Sequence, residues 1–234
     1  MTFGLELGLV ALTGLLGAWG LSPRRAALLA LRGARSAGVA GSPEPVLRFE
    51  RLPTRTLVGV FLGARVFVHA GMGAVSGELG LNLLDAASPG PALANALSAL
   101  FALAALPWVF ARGAEASTDR LLSGGIEGAK RMMRDDSPWP PAVSRFVLAL
   151  LLGGFDGFRP PALVIAFVAL AFASGGVDLG AIYVFAASAA TLPPLLASVY
   201  GKSSKGLERL GPPLGAALIA GLAVWRMATA FSRG

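Results

Sequence analysis

There is no cysteine in these 234 residues. Disulfides, thiolate metal sites and thiol redox chemistry within the chain are excluded at once. Histidine occurs once, at His69, so no cluster of imidazoles can hold a metal. Charge is scarce as well, with Asp, Glu, Lys and Arg together at 14%. No nucleophile–base pair, phosphate loop or dinucleotide fingerprint is legible. Neither enzyme activity nor a cofactor is therefore expected.

Apolar residues fill the space left by those absences: 55% of the chain is hydrophobic and its mean hydropathy is +0.68. One soluble core cannot hide that much apolar surface, so the composition implies an integral membrane protein with the lipid bilayer as its first partner. A removable signal peptide would start with positive charge, whereas residues 1–9 carry only Glu6. The net charge of +7 reports which loops face the cytoplasm rather than a nucleic-acid partner.

A hydrocarbon core of roughly 30 Å asks for about 20 apolar residues per helix. Stretches 3–21, 57–79, 92–111, 143–173, 179–200 and 212–231 qualify, and all are expected to be helical because lipid cannot satisfy free backbone groups. The loop at 23–55 holds Arg24, Arg25, Arg32, Arg35, Arg48, Arg51 and Arg55; the loop at 201–209 holds Lys202, Lys205 and Arg209; residues 112–145 hold six basic groups. These three loops are assigned to the cytoplasm, which puts both termini outside it, in a bacterial cytoplasmic membrane. Arg226 and Arg233 run against that rule. Within the middle loop, Leu121, Leu122, Ile126, Ala129, Met132 and Met133 share one helical face, as in a helix lying on the membrane surface; Gly124, Gly125 and Gly128 suit a solvated linker equally well.

Two short stretches repeat. GAWGLSPRR at 17–25 and GFDGFRPPA at 154–162 both read G-x-x-G-x-x-P and put arginine beside proline. Three spans separate them, so the copies enter the membrane in opposite directions, as in a 3+3 inverted repeat. The expected organisation is a single transmembrane domain over 1–234: repeat 1 at 1–111, a cytoplasmic amphipathic linker at 112–141, and repeat 2 at 142–234. Proline removes a backbone donor and clashes with the preceding turn. Helices 1 and 4 are expected to break at Gly17, Gly20 and Pro23 and at Gly154, Gly157, Pro160 and Pro161, the glycines admitting a neighbouring backbone.

Further residues carry a family resemblance. RTLVGVFLGARVFVHAGMGAVSG at 55–77, with Arg65 followed by Gly73 and Gly77, and GGFDGFRPPALVIAFVALAFASGGVDLGAIYVFAASAATLPPLLA at 153–197, with its Ala190-Thr191-Leu192-Pro193 pattern, resemble the transmembrane domain of cytochrome c biogenesis and thiol-disulfide electron transporters. The resemblance is strongest to the urease-accessory-like branch, often labelled sulfite exporter, and covers nearly the whole chain. It implies an all-α polytopic protein of six helices. Where that family usually carries Pro-Cys-Gly, this chain has Pro160-Pro161-Ala162; where a His-Cys and a Met-Cys are usual in the first span, it has Gly20 to Arg25. The electron-transfer function implied by the family name is therefore not available here.

Arg24, Arg25, Arg65, Asp156 and Arg159 are the candidate substrate-binding residues. Ionisable groups at membrane depth are costly and mark function by default, and guanidinium forks suit an oxyanion. Each has a plainer reading beside it. Arg24 and Arg25 would simply end a span, Arg159 would neutralise Asp156, and Arg65 would tie helices together or pair with a carboxylate. His69, four residues after Arg65, is either a packed, hydrogen-bonded histidine or a proton relay. Two functions follow: a small transporter for an anion, an oxyanion of sulfur by the resemblance, or a non-catalytic subunit or assembly factor of a larger respiratory or biogenesis complex. Exposed small-residue stripes, such as Gly176, Gly180 and Ala187, would point to a partner helix, from another membrane protein or a homo-oligomer.

Overall fold

Backbone donors and acceptors in a chain this apolar must pair locally. In the computed structural model every regular element among the described residues is accordingly helical. The structure describes residues 3–20, 54–86, 90–110, 141–158, 162–199 and 205–232. Helix α1 runs Phe3–Gly17 and closes in a 3-10 turn at Ala18–Gly20; α2 is Thr54–Ala86, α3 Gly90–Phe110, α4 Pro141–Gly157, α5 Ala162–Ala171, α6 Val177–Ala190, α7 Leu192–Val199 and α8 Lys205–Ser232. Three stretches, Arg55–Leu83, Val177–Ala197 and Arg209–Ala230, are long and apolar enough to cross a membrane, and Gly4–Gly17 and Ala92–Pro107 are shorter apolar helices. The protein is an integral membrane protein, and the side chains agree: Phe67 is 79% and Phe155 69% exposed, while Arg65 and Asp156 are 0% and 1%.

Helix lengths depart from the sequence reading in two places. The helix expected over 57–79 extends to Thr54–Ala86. The last was expected from Pro212 but starts at Lys205, with Pro212 and Pro213 inside it. Those prolines forgo only bonds to carbonyls in the helix's opening turns, which water or headgroups satisfy as readily. The surface helix considered for 112–141 falls, up to Pro141, outside the described residues.

Close approach of backbones, not apolar burial, holds helices together in lipid. A Cβ on Gly73 would strike the carbonyl oxygen of Gly180, and one on Gly180 that of Gly73; at Gly77 it would strike the carbonyl of Gly176. With His69 opposite Ser188, these contacts run α2 and α6 antiparallel. On another face of α2, Gly153 lies against the Phe61 backbone, Gly157 against Arg65 and Val68, and Gly80 against Phe172. The Ser76 hydroxyl donates to the Val168 carbonyl at 2.7 Å, 92 residues away. Phe61–Gly153, Arg65–Gly157 and Gly80–Phe172 keep the same offset of 92. Thus α4 and α5 follow α2 in one parallel register on both sides of residues 159–161.

The most extensive helix pairs are α2 with α6 and α4, α3 with α8 and α5, and α1 with α8 and α6. Helix α5 lies near the middle of the bundle, with Leu163, Val164, Ala166, Phe167 and Leu170 buried. Its short connection to α6 depends on glycine: Gly175 has φ 85° and Gly176 φ 152°, a region that side chains disfavour.

Candidate functional site

Two helical periods bring the polar groups together. Arg65 and His69 stand one turn apart on α2, near the middle of the 29-residue apolar stretch Arg55–Leu83, and both are fully buried. The parallel register with α4 sets Asp156 opposite: Arg65 Nε lies 3.1 Å from Asp156 Oδ2, with both side chains at 0% exposure. The antiparallel register with α6 sets Ser188 opposite His69, and Nδ1 of the ring is 2.7 Å from Ser188 Oγ. Arg65 Nη1 also reaches Thr191 Oγ1 at 3.4 Å.

Thr191 occupies the one-residue interruption between α6 and α7. Pro193 and Pro194 follow, neither able to donate to the α6 carbonyls, and the Thr191 hydroxyl donates to the Ser188 carbonyl at 2.6 Å. In the offset of 92, α4 ends at Gly157 level with Arg65, and α5 begins at Ala162 level with residue 70. The buried cluster therefore lies where both neighbouring helices are interrupted. A lone charge in this medium would be very costly, whereas the Arg65–Asp156 pair is neutral as a unit. Its chemical capacity is that of a cation already paired with a carboxylate.

A second, partly buried ion pair joins the other side of the bundle. The Arg226 guanidinium on α8 contacts Glu6 on α1 through Nε, at 2.8 Å, and through Nη2. Its Nη1 donates to the Leu170 carbonyl on α5, and its carbon lies 5.3 Å from the centre of the Tyr183 ring on α6. The Tyr183 hydroxyl donates to Glu6 at 3.4 Å. Leu170 is level with residue 78 of α2, so this clasp stands roughly 20 Å from Arg65 along the bundle.

Of the sequence-derived candidates, Arg65, Asp156 and His69 come together on adjoining helices, whereas Arg24, Arg25, Arg159, Pro23, Pro160 and Pro161 lie outside the described residues. Asp156 meets Arg65 from a different helix, so Arg65 pairs with a carboxylate, as its plainer reading had it. One expectation is corrected. The close-approach glycines of α4 are Gly153 and Gly157; around Gly154 a Cβ would meet nothing within 4 Å, because it stands one position off the face that meets α2. At the first copy of the repeat, Gly17 ends α1 against Leu163 and Gly215, and Gly20 closes the 3-10 turn.

Sequence reasoning overlooked Ser188 and took Arg226 for an outer terminal charge. A basic residue inside the apolar stretch 212–231, and the sole carboxylate of the first stretch at Glu6, were the available signals. Among the described residues, no group of three or more His, Cys, Asp or Glu could hold a metal.

Residues 44–225, which carry both members of the central pair, match the cytochrome c biogenesis protein transmembrane region. The chain belongs to that family. No curated protein and no solved structure matches it. The family's transmembrane scaffold is thus present here in a chain without cysteine, and its buried centre holds an arginine–aspartate pair.

Proposed function

We propose that this protein is a small transport protein of the bacterial cytoplasmic membrane, carrying an oxyanion through the Arg65–Asp156 centre, with no enzyme activity of its own. The observation that carries this reading is a fully buried charged pair, with His69 and Ser188 beside it, placed where two adjacent helices are interrupted. A scaffold needs no charge there, since apolar residues would pack as well or better. The sulfite-exporter-labelled branch of the family suggests an oxyanion of sulfur.

The helix pairing supports a 3+3 inverted repeat within one transmembrane domain. Exchanging spans 1 with 4, 2 with 5 and 3 with 6, where span 4 is α4–α5 and span 5 is α6–α7, maps the most extensive pairs onto one another. Under that exchange the α1–α8 pair becomes α3–α5, and α1–α6 becomes α2–α4. The mutual contact of Gly73 and Gly180 falls on the implied axis. Six spans with both termini outside the cytoplasm fit this arrangement.

The test is uptake of radiolabelled sulfite, sulfate and methanesulfonate into proteoliposomes. Saturable uptake above that of empty vesicles, abolished by Arg65→Gln in a variant that still purifies as a monodisperse species, supports transport. Uptake of none of the three sinks it.

A second reading, a non-catalytic subunit or assembly factor, is favoured by the complete burial of Arg65 and by an apolar groove between α1 and α8. Leu9, Ala217, Leu218, Gly221, Leu222 and Trp225 line it. Stoichiometric recovery of a respiratory or biogenesis complex on gentle-detergent purification decides for this alternative.

A further inference from the structure

We propose that anion movement through this site is coupled to a proton carried by Asp156, an inference that rests on the transport reading above. Arg65 is wholly buried and Asp156 lies 3.1 Å from its Nε. An oxyanion that pairs with this guanidinium either shares it with the carboxylate or displaces the carboxylate from it. If Asp156 stayed ionised, two anions would share one cation in a medium of low dielectric, and the site would carry net negative charge. A proton on Asp156 removes that conflict. The Arg65–Asp156 pair then has two neutral states: carboxylate on guanidinium, or neutral carboxylic acid beside a guanidinium–anion pair.

Exchange between those states moves one proton with each monovalent anion in the same direction. The proton binds a carboxylate oxygen of Asp156 as the anion displaces it from Arg65. It leaves on the far side when the anion departs and the carboxylate returns to Arg65. Charge balances throughout and no co-reactant is required.

Among the described residues, the groups around Asp156 favour it for this role. The described element packed extensively against α4 is α2, which contributes Arg65 and, one turn further on, His69. Arg65 does not give up its proton in proteins. The ring of His69 is engaged through Nδ1 by Ser188, on the α6 side of α2. Helix α6 offers Ser188, with Thr191 at its end, and neither titrates in the working range. The Tyr183 hydroxyl is directed to Glu6 in the distant clasp.

The experiment uses proteoliposomes loaded with a pH-sensitive dye and given radiolabelled methanesulfonate, sulfate or sulfite outside, with and without an imposed gradient, acid outside. The expected result is several-fold accumulation of anion driven by the gradient, collapsed by a protonophore, with acidification of the interior that tracks uptake. Asp156→Asn, a permanently neutral side chain, should take up anion only down its own gradient, with a several-fold lower half-saturating concentration and no dye response. The wild-type measurement stands whether or not that variant folds. Wild-type uptake indifferent to the proton gradient overturns the coupling and leaves the transport reading intact. Gradient-driven accumulation retained in Asp156→Asn overturns it as well. No uptake of any of the three anions overturns both.

Discussion

Arg65 on α2 and Asp156 on α4 meet with Nε 3.1 Å from Oδ2 and with neither side chain exposed. They are brought together by the parallel register that also aligns Ser76 with Val168 and Gly80 with Phe172. Removing one partner leaves an uncompensated charge, whereas removing both leaves none. Arg65→Gln or Asp156→Asn alone should therefore cost about 3–5 kcal/mol, and the double variant less than the sum. Thermal unfolding of the four proteins in one detergent measures this. Additive losses would mean that the pair does not interact.

Glycine substitutions should separate packing from helix propensity. Gly180→Ala on α6 places a methyl group against the Gly73 carbonyl and should destabilise by forcing α2 and α6 apart. Gly63→Ala, on the same α2 but with nothing within 4 Å of its Cβ, should be neutral or stabilise by up to about 1 kcal/mol. Equal effects at the two positions would remove the close α2–α6 crossing.

The clasp at Arg226 joins α1, α5, α6 and α8 through a single side chain. Arg226→Met frees the Glu6 carboxylate and the Leu170 carbonyl together, while Glu6→Gln keeps a hydrogen-bonding group in place. The first should therefore lower the unfolding temperature more than the second. Hydrogen exchange should rise in α1 for Arg226→Met before it rises in α2. Uniform exchange across the bundle would argue against a local clasp.

Absence of cysteine makes the orientation directly measurable. Single cysteines introduced by Thr2→Cys and by Ser203→Cys should differ in intact cells. A membrane-impermeant maleimide should label the former and reach the latter only after permeabilisation. The opposite pattern would invert the orientation inferred from the loop charges.

Much of the architecture was legible in the sequence because it depends on composition and local chemistry. Apolar content sufficient to exceed a soluble core, together with runs near 20 residues, required membrane helices. Gly17 and Gly157 marked helix ends, whereas prolines did not: Pro107 lies inside α3, and Pro212 and Pro213 lie inside α8. The candidate status of Arg65, His69 and Asp156 was equally local, because any ionisable group in such a run is anomalous. The partnerships were not legible. Arg65 with Asp156, His69 with Ser188 and Arg226 with Glu6 join residues 91, 119 and 220 positions apart. Those distances are bridged by helix register, which a span's composition does not encode. The structure alone sets Gly73 on Gly180 and Gly153 on Phe61, because only interhelical packing decides which face of a nearly uniform apolar cylinder turns inward.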